Sequence, residues 1–247
     1  MGDVRYVQGT GMQRQGTAAS AGAALGEALD AYDNSLCIRE RLDSHEQNDT
    51  QLKRDITYTL DRIATTEIGL DKRDDAAQSY FRSLEMRRLL SQNDPDNALY
   101  LSDVALSLEH VGDMLLRQSN AATDPPILAG VDNNELALAF YTAAEGIRAQ
   151  ALRKAPDDTA EQRALQAIRK KIARTSADFN DEAPVDGYGD ALWSGRIGAV
   201  EARYSADAPV AGASDACWTQ VRKAVDEIAK PDETAMRRPS SLNASAN

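Results

Sequence analysis

Residues 28–39 read ALDAYDNSLCIR, and residues 76–87, 48 positions further along the chain, read AAQSYFRSLEMR. Both stretches begin with alanine, carry tyrosine at the fifth place and a serine–leucine pair at the eighth and ninth, and end with arginine. A third stretch, ALAFYTAAEGIR at residues 137–148, lies 61 positions after the second and keeps the alanine, the tyrosine and the arginine. Offsets that match so many positions indicate an internal repeat.

The segment that follows each copy obeys the same offsets. Asp55 maps onto Asp103 and Leu60 maps onto Leu108, both 48 positions later. The second and third copies are separated by 13 extra residues, which fall in a stretch at 119–134 that contains prolines and a glycine. Prolines and glycines are typical of loops, and stacked repeat units accommodate insertions in loops. The sequence therefore predicts three related units with one long loop.

Each unit is predicted to consist of two helices. Apolar residues recur every third or fourth position within 76–90 and again within 97–116, which is the period of one helix face. Asn, Asp and Pro between such segments indicate turns with helix-capping residues. The chain is therefore predicted to be all-α, with helices near residues 24–45, 50–70, 74–92, 97–118, 134–154 and 158–176.

The repeat units occupy residues 24–176, and the flanking segments differ from them in composition. Residues 1–23 are rich in Gly, Gln and Ala, and we expect them to be poorly ordered. Residues 177–238 do not match the repeat and are predicted to form a partly helical extension, with a helix over 216–228. Residues 239–247 are predicted to be a disordered tail.

The chain is acidic, with a formal net charge of −11 and a pI near 4.7. A surface of this charge repels phosphate backbones and anionic lipid headgroups, so we expect neither nucleic acid nor a membrane as partner. No apolar run approaches the roughly 18 residues that a membrane span needs, and the N-terminal residues lack the apolar core of a secretory signal. These observations predict a cytoplasmic protein.

The chain has two cysteines, Cys37 and Cys217, which are 180 positions apart. Two cysteines alone make neither a disulfide framework nor a zinc site. Because Cys37 stands among apolar residues of a predicted helix, we expect it to be a buried, inert thiol.

No residue pattern points to catalysis or to a bound cofactor. His45 and His110 stand at non-equivalent places without a second ligand at metal-binding spacing. Asp94-Pro95-Asp96 starts like a calcium loop but lacks the glycine and the closing glutamate. The chain contains no phosphate-binding glycine loop, nucleophile elbow or zinc-protease helix. We therefore predict that the protein is not an enzyme and holds no metal or cofactor.

Arginine and aspartate recur 16 positions apart, as Arg39 with Asp55 and as Arg87 with Asp103. Residues equidistant from the turn of a helix hairpin lie at the same height, so each pair is predicted to form a structural ion pair. In the third unit the place opposite Arg148 holds alanine. We therefore expect Arg148 to be unpaired and free to bind a ligand.

Several residues of the units match a known repeat signature. They are Leu108-x-x-Val111-Gly112-x-x-Leu115, Ala76-x-x-x-Tyr80, Ala137-x-x-x-Tyr141, Pro95 and Pro156. This set resembles the tetratricopeptide repeats, in which a Leu-Gly helix is followed by Ala-x-x-x-Phe and then proline. The period of 48 exceeds the usual length of roughly 34 residues, as in the extended repeats of kinesin-light-chain-like proteins.

The resemblance implies a right-handed superhelix of antiparallel helix pairs with a concave groove. In that family the groove takes a peptide or a helix of another protein, so the chain is expected to be a scaffold or adaptor. The groove helices would be 50–70, 97–118 and 158–176, with an acidic surface in two units and a basic one in the third. The expected protein-binding residues are Tyr58, Asp61, Thr65, Glu109, Asp113, Arg117, Lys170 and Arg174.

Two alternatives to the scaffold stay open. The C-terminal region, which contains Trp193, Tyr204 and Trp218, is a candidate for a small domain with a separate activity, catalysis included. The ends of a repeat array expose apolar faces unless they are capped, so the chain is also a candidate for self-association into a homo-oligomer.

Overall fold

The structure is a computed structural model that describes residues 18–46, 48–119, 131–177 and 191–205, together with Asp3, Tyr6, Val7, Thr10 and Ile127. These residues include seven helices with defined bounds and no strand, which confirms the all-α class. The helices are α1 (Ala18–His45), α2 (Thr50–Gly69), α3 (Arg73–Asn93), α4 (Ala98–Ser119), α5 (Asn133–Lys154), α6 (Thr159–Ala177) and α7 (Ala191–Ser205).

The predicted helix ends are confirmed to within one residue, except at the start of α1. That helix begins at Ala18 rather than near residue 24, so part of the segment predicted to be poorly ordered is helical. Asp49 accepts a hydrogen bond from the backbone N–H of Leu52 at 2.9 Å, and Asp158 accepts one from Glu161 at 3.0 Å. These contacts satisfy first-turn N–H groups that have no partner within the helix.

Helices that follow one another in the chain pack side by side from α1 to α6. Ion pairs also join alternate helices, from α2 to α4 and from α4 to α6. Phe81 of α3 meets Phe140 of α5, with ring centroids 6.1 Å apart. The even-numbered helices therefore form one layer, and the odd-numbered helices form another.

Many of the buried apolar residues fall into two separate clusters, while others, such as Leu25 and Leu60, lie outside both. The larger one joins α2 to α7 and includes Leu84, Leu108 and Phe140, which are at most 1% exposed. The smaller one lies between α1 and α2 and consists of Ala28, Leu29, Tyr32 and Ile63. The first helix pair is thus packed through its own small core.

Gly112 of α4 allows α4 and α5 to approach closely. A Cβ atom at this position would lie 2.5 Å from Cε1 of Tyr141, well inside van der Waals contact. The equivalent residue in α2, Ala64, is fully buried. Small residues at these two equivalent positions therefore fit places where little room is left for a larger side chain.

The helix α7 packs against α3 and α5. Tyr204 stacks on Phe81 with ring centroids 5.2 Å apart, and Glu201 forms an ion pair with Arg88 at 2.7 Å. Tyr204, a candidate for a separate C-terminal activity, is a core residue that is 4% exposed. The helix predicted at 216–228, Trp218 and the tail at 239–247 lie outside the described residues, and so does the side chain of Trp193.

Cys37 is 2% exposed, as predicted, but it is disulfide-bonded. The prediction of an inert thiol was therefore wrong, because sequence spacing alone does not reveal which sulfur atoms a fold brings together. The other cysteine, Cys217, lies outside the described residues. None of the described helices is both long enough and apolar enough to cross a membrane.

Candidate functional site

The layer of even-numbered helices carries the residues predicted to bind a partner. Arg54 of α2 reaches across to α4, where its Nε atom lies 2.6 Å from Oδ2 of Asp103. Tyr58 donates its hydroxyl hydrogen to Oδ1 of the same carboxylate at 3.1 Å. The guanidinium groups of Arg54 and Arg87 lie 5.6 and 5.2 Å from the centre of the Tyr58 ring. Tyr58 is 40% exposed, and its orientation is fixed by these contacts.

Arg87 of α3 is fully buried and bonded on several sides. Its guanidinium group pairs with Asp61 on α2 at 2.7 Å and donates to Thr57 at 3.1 Å and to Ser107 on α4 at 2.6 Å. Burial raises the pKa of Asp61, but the His110 imidazole, 3.5 Å away, and the charge of Arg87 outweigh it, so this pKa lies below its ordinary value. The carboxylate therefore stays charged and paired at neutral pH.

Arg148 of α5 occupies a similar buried site. It pairs with Glu109 on α4 at 3.0 Å and with Glu161 on α6, also at 3.0 Å. Lys171 adds contacts to Glu109 at 2.8 Å and to Asp113 at 2.7 Å. Burial raises the pKa of Glu109, but the hydrogen bond and charge of Lys171 together with those of Arg148 lower it below its ordinary value.

These two arginine sites correspond under the sequence offsets. Arg148 lies 61 positions after Arg87, and Glu109 lies 48 positions after Asp61. In each case an arginine on an odd-numbered helix pairs with a carboxylate on the even-numbered helix before it.

The tyrosines of the repeat also contact polar side chains that precede their own helix in the chain. The hydroxyl of Tyr80 lies 3.0 Å from the hydroxyl of Thr65, and Tyr141 donates to Asp113 at 2.7 Å. Tyr32 in α1 donates to Asp3 at 2.6 Å. Asp3 therefore makes the contact with the tyrosine of α1 that Thr65 and Asp113 make with the tyrosines of α3 and α5.

Arg39 of α1 differs from its two counterparts. It donates to Thr59 at 2.9 Å, which matches the contact of Arg87 with Ser107, and it also donates to Ser35. No carboxylate among the described residues lies within ion-pair distance of Arg39. The first unit thus keeps the arginine and the hydroxyl of the buried site but lacks the acidic partner.

A cavity of about 490 Å³ lies beside Arg39. This volume falls in the range of about 300–1,000 Å³ that is usual for ligand sites. The cavity lies between α1, α2 and Asp3, and the polar side chains that line it include Tyr32, Asp55, Tyr58 and Arg62. The arrangement can bind a charged group, because Arg39 retains donor hydrogens that no described acceptor uses.

The acidic residues predicted for the groove are neutralised within the chain. Asp61 is 7% exposed, so it does not contribute to the acidic surface that was predicted for its unit. It is buried because Arg87 reaches it from α3. Glu109 and Asp113 are partly buried against Lys171. Their role in binding stays a prediction, but the acidic surface expected in two units is largely cancelled.

The other predicted binding residues are more accessible. Arg117, Lys170 and Arg174 are exposed, and Tyr58 lines the cavity beside Arg39. Thr65 is half-buried against Tyr80. The exposed charges among the predicted residues are therefore all positive.

The predicted arginine–aspartate pairs were wrong. Arg87 pairs with Asp61, while Asp103 pairs with Arg54. Arg148 is neither unpaired nor free, since it is 5% exposed and bonded to two carboxylates. The hairpin argument considered one neighbouring helix, whereas α3 and α5 each pack between two even-numbered helices.

Sequence reasoning missed Arg54, Lys171 and the cavity beside Arg39. The available signal was the register of Asp61 and Glu109, because these carboxylates recur at the repeat offset on a face that is otherwise buried. A carboxylate on such a face requires a cationic partner.

Within the described part of the chain, no group of three or more His, Cys, Asp or Glu side chains is placed to hold a metal ion. Comparison with known proteins gives no match to a protein-family model, a curated protein or a solved structure.

Proposed function

We propose that this chain is an interaction scaffold or adaptor that binds a peptide or a helix of a partner protein along its even-numbered helices. The observation that carries the proposal is the polar cavity of about 490 Å³ at the α1–α2 end of that layer. Apart from Asp3, its lining side chains come from the long helices α1 and α2, which hold a binding site more rigidly than loops do.

The tetratricopeptide-like arrangement is part of the same proposal. Two layers of alternating helices, with arginine and tyrosine contacts that recur at the repeat offsets, are what a superhelix of helix pairs would require. Its concave groove would then run along α2, α4 and α6.

The local charge favours an acidic partner segment, although the whole chain is acidic. Arg117, Lys170 and Arg174 are exposed, whereas the acidic groove residues are paired internally. Complementary charge at an interface gives specificity and speeds association. We therefore expect binding to weaken as salt concentration rises.

A pull-down from native extract tests the groove. The tagged chain is compared with the double variant Lys170→Glu, Arg174→Glu and with the control Arg153→Glu, Lys154→Glu, which makes the same charge change at the exposed end of α5. Partner proteins identified by mass spectrometry should be recovered with the wild type and the control but not with the Lys170→Glu, Arg174→Glu variant. Equal recovery with all three proteins would reject this groove.

Two other functions are weaker proposals. A separate C-terminal activity is less favoured because Tyr204 is buried against Phe81 and α7 packs onto the repeat helices. Self-association remains a proposal that sedimentation tests directly, since a mass independent of concentration would dismiss it.

Cytoplasmic location stays a prediction, and the disulfide bond at Cys37 argues against it. Disulfide bonds are rare in the reducing cytosol. Because Cys37 is buried, the test is alkylation after the protein from its native source has been denatured without reductant. A modified Cys37 is expected for a cytosolic protein, and a blocked Cys37 for one in an oxidising compartment.

A further inference from the structure

We propose that the cavity beside Arg39 binds a helix of a partner protein that carries a basic residue and, seven positions later, an acidic residue. This inference rests on the proposed scaffold function and adds the chemistry of the ligand. The chain itself indicates which chemical groups the site binds, because in its later units the equivalent arginine is paired with a carboxylate from a neighbouring helix.

The acidic residue of the ligand follows from the filled arginine sites. Arg87 forms an ion pair with Asp61 on α2 at 2.7 Å, and Arg148 forms one with Glu109 on α4 at 3.0 Å. Arg39 is their counterpart in the first unit, yet its described contacts are only the hydroxyls of Ser35 and Thr59. A carboxylate on a helix lying before α1 would complete the site as it is completed twice elsewhere.

The basic residue follows from the aspartates on the even-numbered helices. Asp103 of α4 is paired with Arg54, which stands seven positions before Asp61 on the same face of α2. Asp55 is the counterpart of Asp103, and it also lines the cavity. Its only described side-chain contact is with Gln51, at 2.8 Å.

The third unit supports this reading. There the counterpart of Asp103 is Ala164, and the counterpart of Arg54 is Ser102. The arginine of this pair is thus absent in the unit whose aspartate is absent. Asp55 in the first unit, whose described side-chain contact is with Gln51 alone, therefore indicates a basic residue on the partner's helix.

The N-terminal segment of the chain does not supply the carboxylate. Asp3 is the single acidic residue among residues 1–26, and it is already bonded to Tyr32 at 2.6 Å. It fills the place that Thr65 and Asp113 fill before α3 and α5. No described residue occupies the place that corresponds to Asp61.

A second copy of the chain is also a poor occupant. If copies stacked end to end, α6 of one would lie before α1 of the next. The residues of α6 that correspond to Arg54 and Asp61 are Arg163 and Lys170. Lys170 would then face Arg39 with a charge of the same sign, which is unfavourable. A different protein with an acidic residue fits better.

A synthetic peptide with the sequence of residues 50–64 is the probe, because it presents Arg54 and Asp61 at the required spacing. It ends before Thr65, whose counterpart position Asp3 already occupies. Fluorescence anisotropy with the full-length chain should detect binding. Removing either charge from the peptide, by Asp61→Asn or Arg54→Gln, should weaken binding about tenfold, which corresponds to about 1.4 kcal/mol, because each change removes a hydrogen bond to a charged group.

Protein variants complete the test. Arg39→Gln should weaken binding about tenfold, while Arg153→Gln, which removes the same charge from an exposed site on α5, should leave it unchanged. Arg39→Glu should prefer a peptide with Asp61→Lys. Circular dichroism must show equal helix content in all variants.

Equal binding by the charged and neutral peptides, or by the wild type and Arg39→Gln, would overturn the inference but leave the scaffold function standing. No binding of any peptide would also overturn it, since the chain would then fill the site itself or hold it empty. The pull-down with the Lys170→Glu, Arg174→Glu variant judges the scaffold independently.

Discussion

The first repeat unit and the two later units contain the same arginine in different surroundings. Arg87 and Arg148 are 0% and 5% exposed and paired with carboxylates, whereas Arg39 borders a cavity and contacts only hydroxyls. The three arginines occupy equivalent positions on equivalent helices, and what differs is the helix that packs before each of them. The comparison shows that a position in a repeat is structural or available for binding according to what covers it.

The largest effect should come from removing the buried arginine. Arg87→Met leaves the buried Asp61 without its arginine and with only the His110 imidazole nearby, at 3.5 Å. Breaking a buried pair in this way typically costs about 3–5 kcal/mol. Arg39→Met has no such consequence and should cost less than about 1 kcal/mol. Urea unfolding followed by circular dichroism gives both values. Equal losses would show that the two arginines are equivalent after all.

The close contact between α4 and α5 gives the next effect. Gly112→Ala places a Cβ atom 2.5 Å from the Tyr141 ring, and such overpacking costs about 1–3 kcal/mol. Gly146→Ala on α5 is the control, because nothing lies within 4 Å of its Cβ position. It should stabilise the protein by up to about 1 kcal/mol through helix propensity. Thermal melts of both variants would separate packing from propensity.

A pH effect is expected at the junction between the first unit and the second. Burial and the nearby charges of Asp75 and Asp33 raise the pKa of Glu67 to about 7, even though Ser79 donates a hydrogen bond to it. Protonated Glu67 is therefore favoured in the folded state. Its contribution to stability is complete below the ordinary pKa of 4.5 and is lost as pH rises through about 7.

The variant Glu67→Gln should remove this dependence and stabilise the protein by about 1–2 kcal/mol at pH 8. Unfolding measured from pH 4.5 to pH 8 checks the sign, since the wild type should lose stability across this window relative to the variant. Parallel curves for the two proteins would contradict the prediction.

The smallest effect should come from an exposed ion pair. Arg169 and Glu145 lie 2.7 Å apart, but the Arg169 side chain is 59% exposed. Arg169→Gln should change stability by less than about 0.5 kcal/mol. A larger loss in urea unfolding would mean that surface pairs contribute to this fold as buried ones do.

The sequence predicted the helices well because their signals are local. Apolar periodicity and capping residues such as Asp49 and Asp158 specify where a helix begins, whatever packs against it. The sequence also predicted that one helix ends near residue 119 and the next begins near residue 133, since an insertion must fall between helices. The N-terminal extent of α1 was missed because alanine and glycine give little periodicity.

The site was harder to predict because it depends on neighbours. Counting from the turn placed Arg87 opposite Asp103, but α3 also packs on α2, and Arg87 pairs with Asp61 there. Likewise, the role of Arg39 depends on what lies before α1. Offsets identify equivalent positions, and only the packing shows which of them are filled.

The division of the apolar core into two clusters implies a gradient of local opening along the chain. The cluster between α1 and α2 has four buried residues, far fewer than the core that joins α2 to α7. Amide hydrogens of α1 should therefore exchange with solvent sooner than those of α4 or α5. A ligand seated beside Arg39 would slow that exchange first in α1, so the least protected helix would report binding most sensitively.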